Sequence, residues 1–158
     1  MNSYTYDDVP DRVREILQSV ADEINSIPEF SKHAFVLIDD DDMAKARKLS
    51  VAPVIAVMYG GMFGVGQNSG ANTGARTTGN LVEIEVQIFV IGDTTLLCEK
   101  PTNNADFKML PTLHNLREHL RTRTLGCQQW RFGGEQPQEI SELYGYMQTW
   151  RGTFFLFN

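Results

Sequence analysis

Residues 81–91, LVEIEVQIFVI, constrain the fold more than any other stretch of this chain. Val82, Ile84, Val86, Ile88 and Val90 alternate with Glu83, Glu85 and Gln87, after which Phe89 and Ile91 replace the polar series. Successive side chains of a strand point to opposite faces. The period of two therefore predicts a strand with one core face and one partly polar face.

The segments around it supply helices and further strands. Asp8 is a good N-cap, and Pro10 sits just inside the helix start, where a missing N–H costs nothing. Val13, Ile16, Leu17, Val20, Ile24 and Ile27 recur at helical spacing, while Arg12, Arg14, Asp22 and Glu23 fall off that stripe. Pro28 closes the helix, which should lie flat on a sheet. Residues 34–38 read as a short strand. The aspartates of 39–42 lead into one or two helical turns over 43–49, where Lys45, Arg47 and Lys48 suit the helix dipole. PVIAVMY, 53–59, is a nearly continuous apolar run of the kind found in buried strands. Residues 94–106 form a polar connection. Pro111 opens a second helix running to about Thr124, with Leu113, Leu116 and Leu120 on its buried side. Arg117 and Arg121 lie one turn apart on its flank, and Gly126 is a stop signal. QQWRF, 128–132, reads as a strand, GGEQPQE as a polar connection, and 144–157 as a long aromatic final strand. The expected class is α+β: a mixed, mostly antiparallel β-sheet with two main α-helices packed on it and a long Gly-rich loop.

Length and charge narrow the possibilities. A chain of 158 residues suits one domain over 1–158 with a real core. Its 42% apolar and 22% charged residues are those of a folded protein. Net charge is 14 − 20 = −6, which argues against non-specific attraction to nucleic acid. Arg117, Arg121, Arg123 and Arg131 nevertheless cluster late in the chain, a pattern that suits docking to another protein. No signal peptide is visible and no apolar run nears the roughly 20 residues that span a bilayer, so no membrane partner is expected. Cys98 and Cys127 read as reduced thiols.

The stretch YGGMFGVGQNSGANTGARTTGN, 59–80, resembles a phosphate loop only superficially. It has no lysine for a P-loop. Gly64 and Gly66 fit a dinucleotide fingerprint, but Ser69 stands at the third glycine, and a strand rather than a helix N-terminus follows. The plain reading is a floppy hairpin connection. The length favours a functional arm instead, because loops beyond roughly 12–15 residues are uncommon in compact domains. Met62 and Phe63 are out of place in a pure linker, and Arg76 is its one charge. An arm over 60–80, mobile in the monomer and ordered in an assembly, is the expectation, with Met62 and Phe63 as anchors.

Other constellations are weaker. His33, His114 and His119 have no metal-ligand spacing, and residues 39–42 lack the rest of a calcium loop. No nucleophile stands in a recognisable catalytic motif, so neither an enzyme nor a cofactor is expected. Glu83, Glu85 and Gln87 form a row on one strand face. That row is either ordinary sheet surface or, in a ring whose sheets line a channel, an acidic lumen over which DNA slides without sticking. Arg117 and Arg121 are either solvated helix residues or partners for acidic groups on an adjoining subunit.

The first helix, PVIAVMYGG, LVEIEVQIFVIG, LPTLHNLREHL and the ending QQWRFGGEQPQEISELYGYMQTWRGTFF together resemble the tail terminator (tail completion) proteins of long-tailed bacteriophages, most nearly the Mu-type family. In that family a tryptophan-containing strand, a Gly-Glu turn and a last strand close the domain. Trp130, Gly133, Gly134 and Glu135 occupy those places here. The resemblance implies a homo-oligomer, a hexameric ring that caps the head-proximal end of the tail tube. Its partners would be the tail tube protein, the sheath protein in a contractile tail, and a neck or connector protein, with DNA passing through the lumen. It implies a virion location after assembly in the host cytoplasm. Another head–tail joining protein and a small-ligand-binding domain are the alternative readings.

Overall fold

The computed structural model describes residues 3–4, 9–38, 54–64, 79–91, 109–140 and 143–157. Among the described residues, six strands and two α-helices make an α+β domain with a mixed sheet. In chain order they are β1 (Ser3–Tyr4), α1 (Val9–Asn25), β2 (Ala34–Leu37), β3 (Val54–Gly64), β4 (Gly79–Ile91), α2 (Met109–Leu120), β5 (Gln128–Ile140) and β6 (Leu143–Phe157).

The sheet is built around the alternating segment. β4 pairs antiparallel with β3 on one side and with β6 along its whole length on the other. β2 adds to β3 in parallel, and β5 adds antiparallel to the far edge of β6, where β1 also pairs in parallel beyond it. The valine and isoleucine side chains at 82, 84, 86, 88 and 90 are all buried in one large cluster. Ile16, Leu17, Val20 and Ile24 of α1 and Met109, Leu113, Leu116 and Leu120 of α2 complete it, so both helices cover the same sheet face. Each such side chain contributes about 1.5–3 kcal/mol by leaving water. Ala56, Phe89 and Met147 form a second, smaller cluster on the opposite face.

Two buried polar links hold helices to strands. Arg12 of α1 donates to Glu15 at 2.8 Å and to the Gly126 carbonyl at 2.7 Å, joining the first helix to the turn before β5. Gly126 has φ +80°, and a Cβ there would overlap the Arg12 guanidinium, so glycine serves both the turn and the close approach. Gln148 of β6 is fully buried and donates to the Leu113 carbonyl and to Glu135, each at 2.9 Å. It accepts from Trp150 Nε1 at 3.2 Å, and Arg117 reaches the same Glu135 at 2.6 Å.

Several sequence expectations change. Residues 133–139 are not a connection but the second half of β5, in register with β6 from Gly134↔Thr149 to Ile140↔Leu143. Gly133, Gly134 and Pro137 mimic a turn, but register shifts absorb the glycines, and Pro137 lies on a strand whose outer edge has no ladder partner among the described residues. Glu135 is therefore a strand residue, not part of a Gly-Glu turn. The strand expected over 53–59 continues to Gly64, with a bulge between Tyr59 and Gly61, where φ is +129°. Met62 and Phe63 consequently belong to β3 and not to a free arm. α2 begins before Pro111, at Met109, and ends at Leu120 rather than near Thr124. Asp8, the turns expected over 43–49, Cys98, the connection over 94–106 and residues 65–78 of the glycine stretch, Arg76 included, lie outside the described residues. No described helix is long and apolar enough to cross a membrane.

Candidate functional site

The sheet face turned away from the helices carries a polar lattice at one end. The alternation of β4 places Glu83, Glu85 and Gln87 there, and the antiparallel register puts Arg151 of β6 directly across from Glu85. Arg131 of β5 is in turn the neighbour of Arg151. Two arginines side by side would repel unless anions lay beneath them. The two glutamates provide those anions. Arg131 Nη2 lies 2.5 Å from Glu83, and Arg151 Nη1 lies 3.3 Å from it. Arg151 Nε and Nη2 both reach Glu85 Oε2, at 3.2 and 3.0 Å. Gln87 donates to the other Glu85 oxygen at 3.0 Å.

The row expected to be a solvated or lumen-lining acidic surface is thus mostly covered. The side chains of Glu83 and Glu85 are 9% and 12% exposed, whereas those of Arg131 and Arg151 are 58% and 40% exposed. Burial of carboxylates is tolerated because each oxygen is met by a charged or amide donor. β3 closes one side: a Cβ at Gly60 would sit 2.8 Å from Glu85 Oε1, so only a bare backbone leaves room for that carboxylate. Phe63, about half exposed, lies with its ring 5.5 Å from the Arg151 guanidinium carbon.

The remaining expected interface residues do not join this lattice. Met62 packs against the main core. Arg117, on the helix face, pairs with Glu135 and lies 6.0 Å over the Phe132 ring, so its acidic partner is within its own chain. Arg121 is exposed and pairs with Glu118 at 2.8 Å. The sequence reading does not single out Arg151. The signal is present in the alternation of Thr149, Arg151 and Thr153 with Trp150 and Phe154 along β6.

Chemically, the lattice is a surface on which two positive and two negative charges compensate one another. Among the described residues, no group of three or more His, Cys, Asp or Glu side chains is placed to hold a metal. Cys127 is buried beside Gly152, and burial pushes its thiol from 9.0 up to about 11, while Arg12 pulls in the opposite direction. The thiolate fraction near pH 8 then falls about a hundredfold relative to an ordinary thiol, and alkylation of Cys127 in the folded protein is expected to slow at least that much. Peptide mass mapping after timed iodoacetamide treatment checks this; labelling as fast as in denaturant contradicts it. The raised thiol also stabilises the fold fully below pH 9.0, a contribution lost as pH rises through about 11.

No protein-family profile matches the chain, and no curated protein matches it.

Proposed function

We propose that the chain is a tail terminator of a long-tailed bacteriophage. In this reading copies close into a hexameric ring on the head-proximal end of the tail tube. The ring stops tube growth and, in a contractile tail, also contacts the last sheath ring. Its other side offers the surface that a neck or connector protein joins. The work is done by binding geometry, without catalysis, cofactor or membrane. One surface copies the contacts of a tube subunit, and the other refuses the next tube ring.

The reading rests on the sequence resemblance. The observation that supports it best is the chemical difference between the two sheet faces. Helices close one face, whereas the other carries a charge-compensated lattice of Glu83, Glu85, Arg131 and Arg151. We assign that second face, with Gln87, to the lumen: a surface of zero net charge lets DNA pass without holding it. Phe63, at the margin of that face where β3 runs beyond its pairing with β2, is assigned to the subunit interface with Met62, Arg76, Arg117 and Arg121. Within that set Arg117 and Arg121 would exchange or share their internal carboxylate partners.

Light scattering over a concentration series tests the ring. A closed assembly of about six copies is expected, alone or on addition of tube ends. A strict monomer under both conditions contradicts the reading. Phe63→Ser sharpens the test. Because Phe63 is half exposed, the substitution should cost the monomer less than about 1 kcal/mol while weakening assembly. Met62→Ser is a poorer probe, since Met62 packs on the core. Ring formation and tube capping unchanged by Phe63→Ser would remove Phe63 from the interface. The neighbouring reading, a head-completion protein, predicts binding to filled heads and none to headless tubes.

A further inference from the structure

We infer that the Arg131–Arg151 layer makes direct contacts to the phosphate backbone of the DNA that passes the lattice face. This rests on the assignment of that face to a lumen and names what the face touches there. By formula the face is neutral, and by sequence β4 makes it look acidic. Its layering is neither. The carboxylates lie underneath, 9% and 12% exposed, with donors on them, and the guanidiniums lie above, 58% and 40% exposed. An anion approaching from solvent therefore meets N–H groups before it meets carboxylates.

Donor capacity points the same way. A guanidinium carries five N–H donors. Arg151 directs three of its five at Glu83 and Glu85, through Nε, Nη1 and Nη2, which leaves two. Arg131 directs one at Glu83, which leaves four with no acceptor among the described residues. Those donors suit phosphate oxygens, which guanidinium forks bind in pairs. The glutamates fix where the arginines stand, so little side-chain entropy remains to be lost on binding. They also cancel the field at a distance, and the chain as a whole carries −6. The interaction is therefore short-ranged and weak, and it is easily broken by salt. That combination lets a moving duplex be guided without being gripped.

The test is fluorescence anisotropy of a labelled DNA duplex with the full-length protein, titrated with salt from low ionic strength, its mass being recorded in the same solution. Weak binding that falls with salt is expected. Arg131→Gln should lower the affinity and reduce the slope of log K against log salt by about 0.9 for each phosphate that is no longer neutralised. That variant keeps Arg151 on Glu83 Oε1 and Glu85 and puts an amide donor where Arg131 met Glu83 Oε2, so fold and assembly should persist, which far-UV circular dichroism and the recorded mass verify. No binding at the lowest salt, equal binding by wild type and Arg131→Gln, or tighter binding of a poly-glutamate peptide than of the duplex would each overturn the inference, the last assigning the face to an acidic polypeptide. A ring that caps tubes yet ignores DNA removes this inference alone. Arg131-dependent DNA binding by a protein that neither closes a ring nor caps tubes removes the terminator reading and keeps the phosphate interaction.

Discussion

Trp150→Ala should lower the unfolding free energy by about 3–5 kcal/mol, enough to exhaust much of the stability of an ordinary domain. Trp150 is fully buried at the centre of β6. Its ring stacks on Trp130 at a centroid distance of 5.8 Å with planes 8° apart, and it meets Phe132 edge-on at 5.3 Å. Its Nε1 donates to Gln148, which also holds the Leu113 carbonyl and Glu135. Truncation removes the largest buried side chain and one donor from a fully buried amide. The cost grows with whatever cavity the Trp130 and Phe132 rings fail to fill. Urea unfolding followed by tryptophan fluorescence and far-UV circular dichroism measures the loss. A change below about 1 kcal/mol would mean that this aromatic stack is not part of the core.

Gly145→Val is expected to abolish the native fold, with a cost above about 4 kcal/mol. Gly145 of β6 lies opposite Ile91, and a Cβ built on it would collide with the Val90 carbonyl and come within 3.0 Å of the Phe89 ring. The main obstacle is backbone, which cannot rotate aside as a flexible side chain can. Relief requires β4 and β6 to separate at the end of their shared ladder, beside the second hydrophobic cluster of Ala56, Phe89 and Met147. Gly145→Ala should fail for the same reason. Recovery of either variant as a soluble protein with the wild-type unfolding midpoint would show that the two strands do not approach this closely. At Gly152 a Cβ would sit 2.6 Å from Cys127 Cβ and 2.7 Å from the Trp130 ring, both buried, so a side chain there also forces its neighbours to shift.

What the sequence makes legible follows the range of the interactions involved. α1 is readable because a proline near its start, a 3.6-residue stripe and a closing proline all lie within one local window. β4 is readable because its period of two is uninterrupted by glycine or proline. Half of β5 escapes a local reading because its turn-like residues are overruled by β6, a partner supplied by later sequence. The candidate site shows the same limit more sharply. The row of Glu83, Glu85 and Gln87 is visible, but its meaning depends on Arg151, 66 residues further along from Glu85, and on Arg131, 48 from Glu83. Arg117 looks available for a partner as long as Glu135, 18 residues on, is assigned to a turn. Met62 and Phe63 look like a mobile anchor because the pairing with β4 that carries β3 into the glycine stretch leaves no local mark. In each case the deciding partner lies outside the window that a local reading covers: the next strand for β5 and β3, strands tens of residues away for the lattice.

The most direct test of the terminator reading is the binding of gold-labelled protein to headless tail tubes, viewed by electron microscopy. Label confined to one end of each tube, accompanied by an arrest of further tube growth, is the predicted result. Label absent from tube ends but present on filled heads, or tubes that keep lengthening at the labelled end, would contradict it.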